Sequence, residues 1–214
     1  ILGPLEDLVK SNTLSSKDHH RISVIHQSAV RLLNLINQIL DFRKTETQNK
    51  RLCVTKGNLT SAVYETGLKY KELNNKPEIQ ILIEVEEENM VLFFDKEVIT
   101  MILDNLISNA LKYTEKGYIR IRAEWVTENG IRYAQLSVED TGYGIGQDAL
   151  AHIFERYYQE SGEHQASGTG IGLALVKNLV KLHEGDIQVK SLPEIGTTFY
   201  LRLPAGNTYP QALH

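Results

Sequence analysis

The spacing of apolar residues changes once along this chain, and that change limits the folds open to it. Ile22, Ile25, Ala29, Leu32, Ile36 and Ile39 recur at alternating intervals of three and four residues, the seam of a helix made to pack on other helices. Beyond Cys53 an interval of two takes over in places. Ile79, Ile81, Ile83 and Val85 alternate with other residues, as do Ile119, Ile121, Ala123 and Trp125 against Arg120, Arg122 and Glu124. Strands of that kind bury one face and leave the other to solvent or polar cover. Further strands are expected at Arg132 to Val138, Asp186 to Lys190 and Thr197 to Leu203. Helices are expected at roughly Leu59 to Leu73, Lys96 to Leu111, Gln147 to Tyr157 and Gly170 to His183. The implied class is α+β: a two-layer α/β sandwich, one mixed sheet with a helical layer, preceded by a helical hairpin.

Ser15 and Asp18 resemble a capping box, so the seam helix should begin near Ser16 and run into the polar stretch Asp41, Arg43, Lys44 and Glu46. Leu2, Leu5 and Val9 repeat the spacing over a shorter stretch, with a turn between Ser11 and Ser16. A hairpin of one long arm and one stub cannot bury such a seam alone. Two copies forming a four-helix bundle is the economical solution, favoured over packing on the rest of the same chain. The expected organisation is a hairpin over residues 1–46, a linker over 47–55, an α/β domain over 56–205 and a tail over 206–214.

Composition narrows the chemistry. A net charge of −4 argues against a nucleic-acid binder that neutralises many phosphates. The longest apolar run, Met90 to Phe94, is far too short to cross a bilayer, and no basic-then-apolar leader opens the chain. Cys53 stands alone, which excludes a disulfide framework or a cysteine metal cluster and suits a reducing compartment. The opening at Ile1 rather than methionine suggests a piece of something longer.

Nine of the fifteen glycines fall between Gly142 and Gly196, mostly in two clusters. Asp140-Thr141-Gly142-Tyr143-Gly144-Ile145-Gly146 follows an expected strand, and Gly168-Thr169-Gly170-Ile171-Gly172-Leu173 opens an expected helix. Such glycines let backbone approach a ligand closely, and a helix N-terminus favours phosphate. Neither cluster matches the dinucleotide fingerprint or the P-loop, so a different phosphate pocket is implied. The polar stretch Gln159 to Ser167 between them reads as a lid. Asn105, Asn109 and Lys112 share one face of the Lys96 helix. Asn109 can offer a neutral oxygen to Mg²⁺ without repelling phosphate, and Lys112 can add charge to a polyphosphate. Asp140 can accept a hydrogen bond from the exocyclic amine of adenine, where guanine would present a carbonyl.

These residues carry a resemblance. Asp104 to Thr114 resembles the N box of sensor histidine kinases, Asp140 to Gly146 their G1 box, and Ile153 to Gln159 their F box. Gly168 to Leu173 resembles the G2 box and Gly196-Thr197-Thr198-Phe199 the G3 box, all in family order across roughly residues 55 to 204. The helix ending Ile39-Leu40-Asp41-Phe42-Arg43-Lys44 is similar to the second dimerisation helix of hybrid two-component sensors.

The resemblance implies ATP and Mg²⁺ as cofactors, with Asn109 as the metal ligand and Asn105, Lys112 and Tyr113 along the polyphosphate. It further implies that Asn105, Lys112 and Arg156 carry the transfer, Arg156 reaching phosphate from the lid. Asp140, Gly142, Gly144, Ile145 and Thr197 would surround the base, and Gly168, Thr169, Gly170, Ile171, Gly172 and Leu173 would line the phosphate channel. It also implies a homodimer, a response-regulator receiver domain as phosphate acceptor, and a cytoplasmic location below a membrane-embedded parent. None of His19, His20, His26, His152, His164, His183 or His214 sits in the family's H box, so the acceptor histidine is expected ahead of Ile1. Two alternatives share the pocket: a clamp ATPase of the chaperone, mismatch-repair and topoisomerase class, whose general base would be Glu97 or Asp104, and a pseudokinase binding module.

Overall fold

Alternation decides what each strand buries. In the strand Gly117–Glu128, Ile119, Ile121 and Ala123 are buried, while Tyr118, Arg120 and Arg122 lie on the other face. The protein, seen in a computed structural model, is described over residues 16–46, 52–85, 89–159 and 169–205. Its elements run α1 (Ser16–Glu46), β1 (Thr55–Asn58), α2 (Leu59–Leu73), β2 (Ile79–Val85), β3 (Val91–Phe94), α3 (Lys96–Tyr113), β4 (Gly117–Glu128), β5 (Ile131–Asp140), α4 (Gln147–Leu150), α5 (Gly172–Leu182), β6 (Asp186–Leu192) and β7 (Gly196–Pro204). Five strands form one sheet in the order β2-β4-β5-β7-β6. The β2–β4 pair is parallel and the others antiparallel, so the sheet is mixed, as its period-two segments suggested. A separate antiparallel pair, β1 with β3, was not expected; its β3 is the apolar run at Val91–Phe94.

Helices α2 and α3 cover one sheet face, and α5 lies against β6. On α3 the buried residues Val98, Ile99, Ile102, Leu103, Leu106, Ile107 and Ala110 follow the helical repeat. Gly67 lets α2 come close to the sheet: a Cβ there would stand 2.9 Å from the Ile83 side chain and 3.3 Å from that of Ile121. The opposite sheet face is polar. Arg120 donates to Glu84 at 3.0 Å and Glu139 at 2.9 Å, and Arg122 to Glu84 at 2.8 Å. Partly exposed pairs like these add little stability; they keep the open face wet.

Both ends of α3 are fastened from outside the helix. At its C-terminus Lys76 Nζ donates to the carbonyls of Leu111, at 2.5 Å, and Thr114, at 3.2 Å, where a cation suits the helix dipole. At its N-terminus Asp95 caps Val98 N at 3.1 Å and accepts from Cys53 N at 2.8 Å, while its own amide donates to His183 Nε2 at 3.1 Å. Asp95 is itself buried. Asp95→Ala should therefore lower unfolding stability by about 2 kcal/mol, through the lost cap and an orphaned amide. The midpoint of urea unfolding checks this, with Asp95→Asn recovering part of the loss.

Several boundaries differ from the sequence expectations. The helix expected over Gln147 to Tyr157 stops at Leu150 and continues as turns, because Tyr157 adopts a left-handed φ of 62° and donates its amide to Gly170 O at 2.9 Å. The helix expected from Gly170 starts at Gly172, since Gly170 has a φ of 67°, outside the helical region. The seam helix does begin at Ser16 and end at Glu46, and it lies against α5. The hairpin stub, the Ser15 cap, linker positions 47–51, the lid over 160–168 and the tail at 206–214 lie outside the described residues.

Candidate functional site

The site grows from the C-terminal half of α3. Asn105, Asn109 and Lys112 are half-buried there and Tyr113 is exposed. Asn105 Nδ2 donates back to Met101 O at 2.8 Å, which leaves its Oδ1 outward along the helix. A Cβ on Gly172 would lie 2.9 Å from that Oδ1, so the first turn of α5 abuts the asparagine face of α3. Among the described residues no hydrogen bond occupies the Asn109 amide. Lys112 Nζ lies 2.9 Å from Tyr113 OH and 4.6 Å from the centre of that ring.

Two glycine turns close on this face. Gly142 is buried, and a Cβ on it would run into Tyr113 O and within 2.9 Å of Asp140 Oδ1. Tyr143 N donates to Tyr113 O at 3.2 Å, which pins the first turn to the end of α3. Gly144, with a φ of 71°, backs onto Leu192 O, and Ile145 packs partly against the core. In the second turn Gly170 rests on the Tyr157 backbone, and Thr169 Oγ1 accepts from Ile171 N at 3.2 Å. Ile171 is buried and Leu173 packs against the core. Arg156 is exposed on the turn just before Tyr157. Gly168 lies outside the described residues.

Asp140 ends β5 and is only 7% exposed. Burial pushes its carboxyl from an ordinary 3.8 up to about 6, against the opposing pull of the Gly142 and Thr197 amides that donate to it; Glu139 beside it pushes the same way as burial. The Gly142 bond is 2.9 Å long. Thr197 is paired with Asp140 across β5 and β7. A buried carboxylate on a rigid strand end, met by glycine turns, can read a hydrogen-bond donor on a flat ligand.

One residue of this site escaped the sequence reading. Ser191 is buried and accepts from the Ile145 amide at 2.8 Å. The signal lay in β6, where Ser191 occupies the inward alternate after Ile187 and Val189, a polar residue in an apolar row.

The arrangement fits a nucleotide triphosphate and Mg²⁺. The glycine turns let backbone from the β5 end and the start of α5 close directly on α3, where a Cβ would strike Tyr113 O or Asn105 Oδ1, and the amide helix offers a neutral oxygen in place of a carboxylate cluster. Among the described residues no group of three His, Cys, Asp or Glu stands ready to hold a metal. A magnesium ion that keeps its waters and takes phosphate oxygens needs only one such protein ligand. The long helix α5 adds unpaired N–H groups at its start.

Asp104, in contrast, is turned toward α2: Lys69 Nζ holds its carboxylate at 3.0 Å, and Tyr70 OH donates to its carbonyl at 3.2 Å. His183 is buried in the Asp95 network. No helix among the described residues is long and apolar enough to cross a membrane.

Residues 94–207 match the profile of the histidine kinase-, DNA gyrase B- and HSP90-like ATPases. The chain is 31% identical over 216 residues to "Histidine kinase P4" of Formosa agariphila, covering 99% of this chain and 16% of that protein. It is 36% identical to the "Autoinducer 2 sensor kinase/phosphatase LuxQ" of Vibrio harveyi, covering 95% of this chain and 24% of the relative. The chain thus spans about a quarter or less of these relatives. Among solved structures, full-length ShkA in complex with AMPPNP superposes with a TM-score of 0.79 at 25% identity, over 95% of this chain and 42% of that one.

Proposed function

Because the chain belongs to the histidine kinase-, DNA gyrase B- and HSP90-like ATPase family, we propose that it is the ATP-binding catalytic core of a sensor protein-histidine kinase. It would transfer the γ-phosphate of ATP to a histidine, for relay to an aspartate on a response-regulator receiver domain. The observation that carries this reading is the meeting of two glycine turns with the asparagine face of α3, where Gly142 adjoins Tyr113 and Gly172 adjoins Asn105. The kinase names of the matched relatives support it.

In this proposal Asn109 would hold Mg²⁺ through its amide oxygen, and the ion would supply charge neutralisation along the phosphates. Asn105, Lys112 and Tyr113 flank the polyphosphate, and the backbone of Thr169, Gly170, Ile171, Gly172 and Leu173, with Gly168, surrounds it. Arg156 approaches from the lid side. Asp140 accepts from the adenine amine, with Gly142, Gly144, Ile145 and Thr197 shaping the base pocket. The reaction makes an N–P bond at the acceptor imidazole and breaks the bond from the γ-phosphorus to the bridging oxygen, releasing ADP. The protein's share is positioning and charge neutralisation.

Residues 1–46 act here as the dimerisation hairpin, 47–55 as linker, 56–205 as catalytic domain and 206–214 as tail. The apolar stripe of α1 supports a homodimer: Ile25 is 54%, Leu32 58%, Ile36 45% and Ile39 44% exposed. The parent is a sensor whose kinase part works in the cytoplasm, and its acceptor histidine lies in a first hairpin helix. The clamp-ATPase alternative is weakened because Lys69 engages Asp104, one of its two candidate bases; a pseudokinase would show no Mg²⁺-dependent ATP binding.

The test joins a helix bearing an H box ahead of residue 1 and supplies γ-labelled ATP. Acid-labile, base-stable phosphoprotein is expected. Release of inorganic phosphate without phosphohistidine would favour the clamp reading.

A further inference from the structure

Ser191 sits at the centre of a small, fully used hydrogen-bond network. Its hydroxyl has one proton and two lone pairs to offer. The Ile145 amide donates to Oγ at 2.8 Å, Oγ donates to Gly196 O at 2.9 Å, and Thr197 Oγ1 lies 2.8 Å away. Since the Ser191 proton goes to Gly196, the Thr197 hydroxyl is the donor of the last bond. Ser191 and Thr197 are both buried, so water does not stand in for a missing partner.

The peptide between Gly196 and Thr197 is therefore gripped on its carbonyl side by Ser191. No peptide bond among the described residues is cis, and across a trans peptide the N–H points away from the carbonyl. That N–H belongs to Thr197, the cross-strand partner of Asp140 at the end of β5. One peptide thus lies between the Ser191 hydroxyl and the strand end that carries the Asp140 carboxylate. The same hydroxyl fixes Ile145, at the far end of the first glycine turn. A Cβ on Gly196 would strike Asp140 O, so glycine is what lets β7 begin this close to the end of β5.

We propose that Ser191 is a positioning residue for base recognition: it orients the Gly196–Thr197 peptide and the Ile145 amide so that the Asp140 carboxylate faces the 6-amino group of adenine. The inference rests on the ATP-site reading above and deepens it. Without the hydroxyl, the part-buried Ile145 amide and the buried Gly196 carbonyl lose their partner, and the Gly196–Thr197 peptide beside Asp140 is no longer held.

The experiment measures equilibrium binding of ATP and of inosine triphosphate, which carries a carbonyl at position 6, to the 214-residue chain with Mg²⁺. The unaltered chain prefers ATP. Ser191→Ala weakens ATP about tenfold, the scale of a lost buried hydrogen bond, and leaves inosine triphosphate nearly unchanged, so the preference collapses. Ser191→Thr keeps the hydroxyl and restores it. Ser191→Cys, close in shape and a poor hydrogen-bonding group, gives an intermediate preference and serves if the alanine variant does not fold. An equal loss for both nucleotides, or a preference kept intact in the Ala and Cys variants, overturns the positioning role. An unaltered chain that binds neither nucleotide, or binds both equally, overturns the ATP-site reading itself.

Discussion

Replacing Asn109 with alanine should cost the protein its metal-dependent ATP affinity, by roughly a hundredfold or more, while leaving it folded. Magnesium dehydrates reluctantly and holds most of its shell as water and phosphate oxygen, so one protein oxygen carries the link between ion and chain. Asn109 is half-buried, and its amide has no hydrogen bond among the described residues to lose. The loss should therefore appear in binding and not in the unfolding midpoint. Titrating ATP with Mg²⁺ and again with a chelator separates the two contributions: the variant and the unaltered chain should differ only when the ion is present. A variant that binds ATP–Mg²⁺ as well as the unaltered chain would remove Asn109 from the metal's coordination. Asn105, whose side chain bonds its own helix, is the control in which fold and binding are harder to separate.

Asp140→Asn should do two opposite things. It should weaken ATP by about a hundredfold while hardly affecting tripolyphosphate, because the amide can turn a donor toward the adenine amine and because only the base touches this position. It should also make the protein more stable at neutral pH. The folded carboxyl titrates at about 6 against an ordinary 3.8, so the native state binds its proton more tightly than the unfolded chain. Stability from this group is then complete below pH about 4 and is lost as pH climbs through 6, a cost of about 3 kcal/mol at pH 7. Asparagine carries no such cost, so the variant should gain up to about 3 kcal/mol in urea unfolding at pH 7 and lose its advantage near pH 4. In the unaltered chain, ATP affinity should fall as pH drops through 6, and that acid limb should be missing in Asp140→Asn. Equal losses for ATP and tripolyphosphate would show that Asp140 does not read the base. The two effects together describe a buried charge retained against folding for the sake of binding.

Much of the fold was legible because burial writes itself into spacing. Leu59–Leu73 was expected as a helix and is one, since its buried Leu59, Ala62, Val63, Thr66 and Gly67 keep the helical repeat. The sheet strands were legible for the matching reason, a period of two in their apolar residues, although β5 is buried on both faces from Ala134 to Val138. The segment after Leu150 misled, because its buried Ile153 and Ala149 sit at helical spacing while Tyr157 is pulled out of the helix by a bond to Gly170, thirteen positions further on. Strands β1 and β3, four residues each, are too short to display a period.

From the residues alone came the helical seam, the mixed sheet with its helical layer, the amide helix and the two glycine turns, because each depends on near neighbours in the chain. Only the folded structure brought Gly172 against Asn105 and Gly142 against Tyr113 and Asp140. The raised titration of Asp140 also needed the fold, since it comes from burial, which outweighs the opposing pull of the Gly142 and Thr197 amides. So did the place of Ser191, whose spacing announced a polar residue on an inward face and nothing more. Its meaning lies in three partners on a loop and the neighbouring strand. Local repeats record which face is buried; which groups meet there is set by strand order and register, and these are long-range.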